Sequence, residues 1–186
     1  MPTDPLNVAG SRRLSQRISE GDGIAIIVRV ADVESARAAE VEGAKALAIS
    51  SEVDGIREAT ALPLLWTGDA HPVDADAVVR RPAVAADLDG VELVVDVRDE
   101  DELSLALDQF DPEIFLLCGD GSGEHDDPLD AVLELLPDVP AGKLAIADVA
   151  VESRDEVLAL ERAGIDAVLV PAGSVAGLVG HAPFDV

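Results

Sequence analysis

Eight polar side chains stand at or just beyond the C-terminal ends of apolar runs. They are Arg29 after GIAIIV, Ser50 after AKALAI and Thr67 after LPLLW. Asp96 and Arg98 lie within VELVVDVR, Cys118 ends EIFLLC, Asp148 ends KLAIAD, and Ser174 follows AVLVPAG. Their types suit one kind of chemistry. A guanidinium presents a planar fork that grips an oxyanion, and a neighbouring carboxylate serves as general base. Arg29 with Asp96 or Asp148 is thus the candidate catalytic set for a small anionic ligand, with Thr67 and Arg98 as candidate binding residues. The same residues also fit a plainer arrangement, a buried Arg–Asp pair that fills a core and meets no substrate.

The elements that carry these residues are legible from periodicity. Residues 24–30 form a nearly continuous apolar run, as expected of a parallel strand buried on both faces. Asp32 and Gly43 then read as the N-cap and C-terminal glycine of a helix. Further strands are expected at 44–49, 62–66, 76–80, 92–97, 113–118, 143–149 and 167–170. Helices are expected at 52–60, 100–110, 128–136 and 154–163, with a short one at 174–179. Alternating strands and helices imply parallel pairing with right-handed crossovers. Eight such units close into a (β/α)8 TIM barrel, and eight strands are more than a flavodoxin-like open sheet uses. The chain has 186 residues, and the missing length falls where helices 3, 4 and 8 belong. The expected architecture is therefore α/β, a compact TIM barrel with those helices shortened or absent. Residues 1–22 read as an N-terminal arm with a short helix at 11–20, and residues 23–186 as one barrel domain.

Composition narrows the function classes. The formal charge is -25, from 38 acidic and 13 basic residues, and only Lys45 and Lys143 are lysines. Such a surface disfavours nucleic acid and anionic membranes as partners. Acid-rich, lysine-poor and aromatic-poor composition is that of a protein adapted to high salt, where screening relieves self-repulsion. The N-terminus lacks the apolar core of a secretion signal, and no apolar run is long enough to span a bilayer, so a cytoplasmic location is expected. One cysteine, Cys118, excludes an intrachain disulfide and any zinc site with two thiolates. No dinucleotide or P-loop motif is present, and no cofactor is expected.

Three segments resemble indole-3-glycerol phosphate synthase, an enzyme of tryptophan biosynthesis, and its phosphate-binding barrel relatives. Residues 91–119 (VELVVDVRDEDELSLALDQFDPEIFLLCG) are similar to that family's fifth strand, helix and sixth strand. Residues 153–173 are similar to its seventh helix and eighth strand, and LPLLWTGD (62–69) to its third strand. Residues 24–49 resemble the barrel of the lyase-type pyridoxal phosphate synthase. The resemblance implies a phosphate site after strands 7 and 8, where Gly173 and Ser174 stand. It also shows where chemistry is changed. The catalytic lysine of strand 3 falls on Thr67, the glutamate of strand 5 on Asp96, and the following histidine on Arg98. The asparagine after strand 6 falls on Cys118. Ser-Glu-Ser-Gly of strand 7 becomes Ala147-Asp148-Val149-Ala150, and Leu-Val-Gly of strand 8 becomes Leu169-Val170-Pro171. In the comparison with pyridoxal phosphate synthase, the strand-1 aspartate falls on Arg29.

Lys45 and Lys143 each open a strand, whereas barrel active sites lie where strands end. A Schiff base or a lysine acid is therefore not expected, nor is the ring-closing decarboxylation of the synthase. Three readings follow. One is a diverged barrel that binds a small anionic or phosphorylated metabolite or acts with a partner. Another is an active lyase or isomerase using Asp96 and Asp148. The third is a structural subunit or homo-oligomer, with an apolar flank bared by the shortened helices. The acidic loop Asp120, Glu124, His125, Asp126, Asp127 has no EF-hand spacing and reads as solvated, and no metal is expected. His71 near Asp69 reads as an ordinary loop histidine. The composition itself makes a prediction. The melting temperature should rise continuously from low to molar KCl. A flat or falling curve, followed by circular dichroism, would overturn the assignment to high salt.

Overall fold

In the computed structural model, residues 13–72, 74–84, 90–119 and 127–179 are described. Eight parallel strands close into a barrel in sequence order. They are β1 (Ala25–Arg29), β2 (Ala46–Ile49), β3 (Leu64–Trp66), β4 (Ala77–Arg80), β5 (Glu92–Val97), β6 (Ile114–Cys118), β7 (Leu144–Asp148) and β8 (Ala167–Pro171). Helices α1 (Arg13–Ser19), α2 (Val33–Glu42), α3 (Ile56–Ala59), α4 (Glu100–Gln109), α5 (Pro128–Leu135), α6 (Arg154–Ala163) and α7 (Val175–Leu178) accompany them. The ring is completed by β1 against β8, in register from Ala25↔Ala167 to Arg29↔Pro171.

The helices begin and end where local chemistry dictates. Asp32 accepts from the Ser35 N–H at the start of α2, and the Ser35 hydroxyl lies against the Asp32 N–H in a reciprocal cap. Asp99 caps α4 and Ser153 caps α6 in the same way, each accepting from a backbone N–H three residues on. Gly43 and Gly164 end α2 and α6 in the left-handed region that a side chain disfavours.

Alternation along the strands sorts the core into two layers. Ile27, Leu65, Val94, Ile114, Leu116, Ile146 and Leu169 point into the barrel, with small Ala25, Ala46, Ala48, Ala77 and Ala167 filling the remaining space. Val28, Leu47, Leu64, Trp66, Val95, Phe115, Leu117 and Val168 face the surrounding helices. The outer wrap is thin in one sector. Residues 67–72 and 74–76 between β3 and β4 hold no helix, a 3-10 turn (Pro82–Val84) follows β4 among the described residues, and α7 has four residues. In this sector Leu64, Trp66 and Val78 are buried and Val84 is exposed, and a pinned loop crosses it. Trp66 Nε1 donates to the carbonyls of Gly68 at 2.9 Å and Ala70 at 3.1 Å. Arg80 donates to the same two carbonyls, at 2.9 and 3.1 Å. Gly68 is required: a Cβ there would lie 2.2 Å from the Ser50 carbonyl oxygen.

The barrel floor is closed by α1. Leu14 and Ile18 insert beneath the strands. The Glu92 carboxylate, at the base of β5, accepts from the Leu14 N–H at 2.8 Å, from the Ser15 N–H and from the Ser15 hydroxyl. It thereby satisfies amide donors that the first turn of a helix leaves unpaired. Residues 1–11, expected as a loose arm, lie outside the described residues. Two aspartates finish the rim. Asp76 accepts from the Leu64 N–H and Asp166 from the Ala145 N–H, both at 2.8 Å. Burial raises the pKa of Glu92, against the lowering effect of its bonds to Ser15 and Leu14. Folding thus disfavours its charged form relative to the unfolded chain. Its contribution to stability is largest below its ordinary pKa and falls as pH rises through the raised value. Glu92→Ala should cost about 2–4 kcal/mol by urea unfolding in molar KCl, because buried donors lose their acceptor. A cost near zero would show that α1 is held by Leu14 and Ile18 alone.

Candidate functional site

The same alternation that fills the barrel with Ile27, Val94, Leu116 and Ile146 brings Arg29, Asp96, Cys118 and Asp148 inward one step higher. Arg29, Cys118 and Asp148 are each the last residue of a strand. Cys118 and Asp148 are register partners on β6 and β7. The four strands involved, β5, β6, β7 and β1, thus deliver a connected cluster to the C-terminal mouth.

Arg29 Nη2 donates to both carboxylate oxygens of Asp148, each at 2.6 Å. The arginine side chain is 44% exposed and the aspartate 27%, so solvent screens this pair. Among the described residues, Arg29 Nε and Nη1 have no hydrogen-bond partner. The Cys118 thiol lies 3.9 Å from Asp148 Oδ2. Asp96 is the deepest member, at 8% exposure. Its Oδ2 is 3.6 Å from Arg98 Nη2, an ion-pair distance, and its Oδ1 is buried without a hydrogen-bond partner. The Arg98 N–H donates to Glu102 Oε2 at 3.1 Å, which ties the end of β5 to α4.

The charges define what Cys118 is. Burial first, then the Asp96 carboxylate and then that of Asp148, push its thiol far above the ordinary range, with Arg98 opposing. It remains a neutral thiol between two carboxylates, not a nucleophile.

The other expected residues fall differently. Thr67 turns its hydroxyl onto the Ile49 carbonyl at 3.2 Å, joining β3 to β2. Gly173 is exposed at φ +84°, and a Cβ there would meet open space, so no close backbone approach demands the glycine. Ser174 precedes α7 without capping it through its side chain, and Pro171 brings no N–H to this turn. Ser50, Asp69 and His71 are exposed. Trp66 packs outside the barrel, leaving the mouth unblocked by its indole. Residues 120–126 of the acidic loop lie outside the described residues, and Asp127 caps α5 through the Leu129 N–H. Among the described residues no group of three or more His, Cys, Asp or Glu side chains is arranged to hold a metal. Lys143 Nζ pairs with Asp111 Oδ1 at 2.8 Å where β7 begins, at the floor.

Arg80 and Glu92 are the structurally consequential polar residues that motif reasoning passes over. Alternation carried the signal for both: Glu92 shares the inward face of Val94 and Asp96, and Arg80 the outward face of Val78. A cavity of about 520 Å³ also lies at the floor, between Ser15, Gln16 and Ser19 of α1 and the Ala141–Leu144 turn. It contains none of the expected site residues.

A search against models of known protein families finds no match to the chain. No described helix is long and apolar enough to cross a membrane.

Thiol chemistry checks the electrostatics. Cys118 should react slowly with iodoacetamide at mildly alkaline pH in the folded protein and quickly in urea. Rapid labelling of the native chain would show that the two carboxylates do not hold the proton on sulfur.

Proposed function

We propose that the C-terminal mouth binds a small ligand through an oxyanion, a carboxylate or a phosphate, held on Arg29. The barrel is read as a diverged relative of indole-3-glycerol phosphate synthase that has given up the parent reaction. The single observation that carries this reading is the state of Arg29. Asp148 engages Nη2, which orients the group and leaves the Nε and Nη1 N–H groups, one on either side of it, as donors for a ligand oxyanion. A guanidinium has five N–H donors, and both of its two-donor edges include Nη2, so with Asp148 on Nη2 a ligand oxyanion takes Nε or Nη1 in a charge-assisted hydrogen bond. Asp148 is then a positioning residue and Arg29 the ligand-binding one. Gly173 and Ser174 follow Pro171, the register partner of Arg29, and supply a second contact for a larger oxyanion.

The loss of the parent reaction is supported by the lysines. The chain has two, Lys45 and Lys143, and both precede strands at the floor. No ammonium is available at the mouth as a proton donor or Schiff-base former. A salt-adapted protein accords with the charge of -25.

The test is a titration of the full chain with inorganic phosphate and with acetate in molar KCl, read by thermal shift and calorimetry. At least one should bind saturably, and Arg29→Gln should weaken that binding by roughly tenfold or more, about 1.4 kcal/mol. Binding that survives Arg29→Gln unchanged, or no binding of phosphate or of any small carboxylate, with or without an amine, would sink the proposal.

A further inference from the structure

We infer that the ligand is a zwitterion, a small amino acid whose carboxylate lies on Arg29 and whose ammonium reaches Asp96. The inference rests on the reading of Arg29 above and extends it to the ligand's other end.

Asp96 carries the argument. It is a carboxylate at 8% exposure at the top of the inward face of β5. Its Oδ1 has no hydrogen-bond partner, and its Oδ2 stands 3.6 Å from Arg98, too far for a hydrogen bond. A buried anionic oxygen without a donor is costly, and such groups are retained where something else satisfies them. An ammonium offers three donors and a compensating charge. The contacts Arg29–Asp148 and Asp148–Cys118 run from Arg29 toward this carboxylate, with the neutral Cys118 thiol near both acids.

Charge points the same way. The cluster of Arg29, Arg98, Asp96 and Asp148 has two formal charges of each sign and sums to zero. A net anion placed there unbalances it and must also approach a chain carrying -25, whose field repels it. A zwitterion leaves the balance intact and meets no net repulsion.

The experiment compares acids matched in length with and without the amine: glycine against acetate, β-alanine against propionate, and γ-aminobutyrate against butyrate. Each is titrated into the full chain in molar KCl and into the Arg29→Gln and Asp96→Asn variants. At least one amino acid should bind roughly tenfold or more tightly than its matched acid. Asp96→Asn should bring it down to the level of that acid, and Arg29→Gln should abolish both. If matched pairs bind alike and Arg29→Gln removes them, the zwitterion is wrong and the oxyanion reading stands. If a preference for the amine persists in Asp96→Asn, the ammonium is not on Asp96 and the inference falls. If neither acids nor amino acids nor phosphate bind the unmodified chain, both readings fall. The comparison within the unmodified chain stays decisive should Asp96→Asn fold poorly.

Discussion

Closure of β1 against β8 is the constraint on which the rest of this molecule depends. The pairing runs over the whole of both strands, from Ala25↔Ala167 to Arg29↔Pro171. It joins the N-terminal third of the chain to the C-terminal end. Once the ring closes, side chains on each strand alternate between an interior and an exterior face. Every inward position then faces the inward positions of the other strands. Arg29 meets Asp148 because β1, β8 and β7 are consecutive in the ring, although 119 residues separate the two in the chain.

The interior is polar at both ends and apolar between. At the floor, Glu92 binds the start of α1, while Asp76 and Asp166 accept strand N–H groups. These carboxylates have backbone donors and serve to seal the barrel. At the mouth, Arg29, Arg98, Asp96 and Asp148 interact mainly through side chains, and one carboxylate oxygen lacks a donor. The contrast separates carboxylates satisfied by their own fold from one whose Oδ1 is not. Ile27, Val94, Leu116, Ile146 and Leu169 fill the space between the two ends and keep the mouth polar cluster from opening into the floor.

The thin outer wrap between β3 and β5 shows how a barrel can lose length without losing its core. A helix normally covers the outward face of such strands. Here the indole of Trp66 and the guanidinium of Arg80 donate to the carbonyls of Gly68 and Ala70, folding the connecting loop against the strand ends. Gly68 permits the approach to Ser50 that this demands. The outward side chains Leu64, Trp66 and Val78 remain buried. Side-chain donors thus satisfy backbone carbonyls of this connection that no helix ladder takes up.

Much of this was legible in the linear chain because its causes are local. Asp32 and Gly43 bound a helix by capping chemistry, and Ser153 with Gly164 does the same for α6. The apolar runs mark eight strands, and the expected limits at 92–97 and 154–163 coincide with β5 and α6. Period-two alternation also put Arg29, Asp96, Cys118 and Asp148 at strand ends. The chain by itself determined that these side chains reach one mouth and that its two lysines do not. Only the tertiary structure decided which of them touch. Arg29 chose Asp148 and not Asp96, Arg98 took Asp96, and Thr67 turned to the Ile49 carbonyl. The floor role of Glu92 and the loop-pinning role of Arg80 were settled there too. Alternation assigns a face, but a partner depends on the stagger between strands and on which neighbour comes within a few ångströms, and both are set by closure of the whole ring.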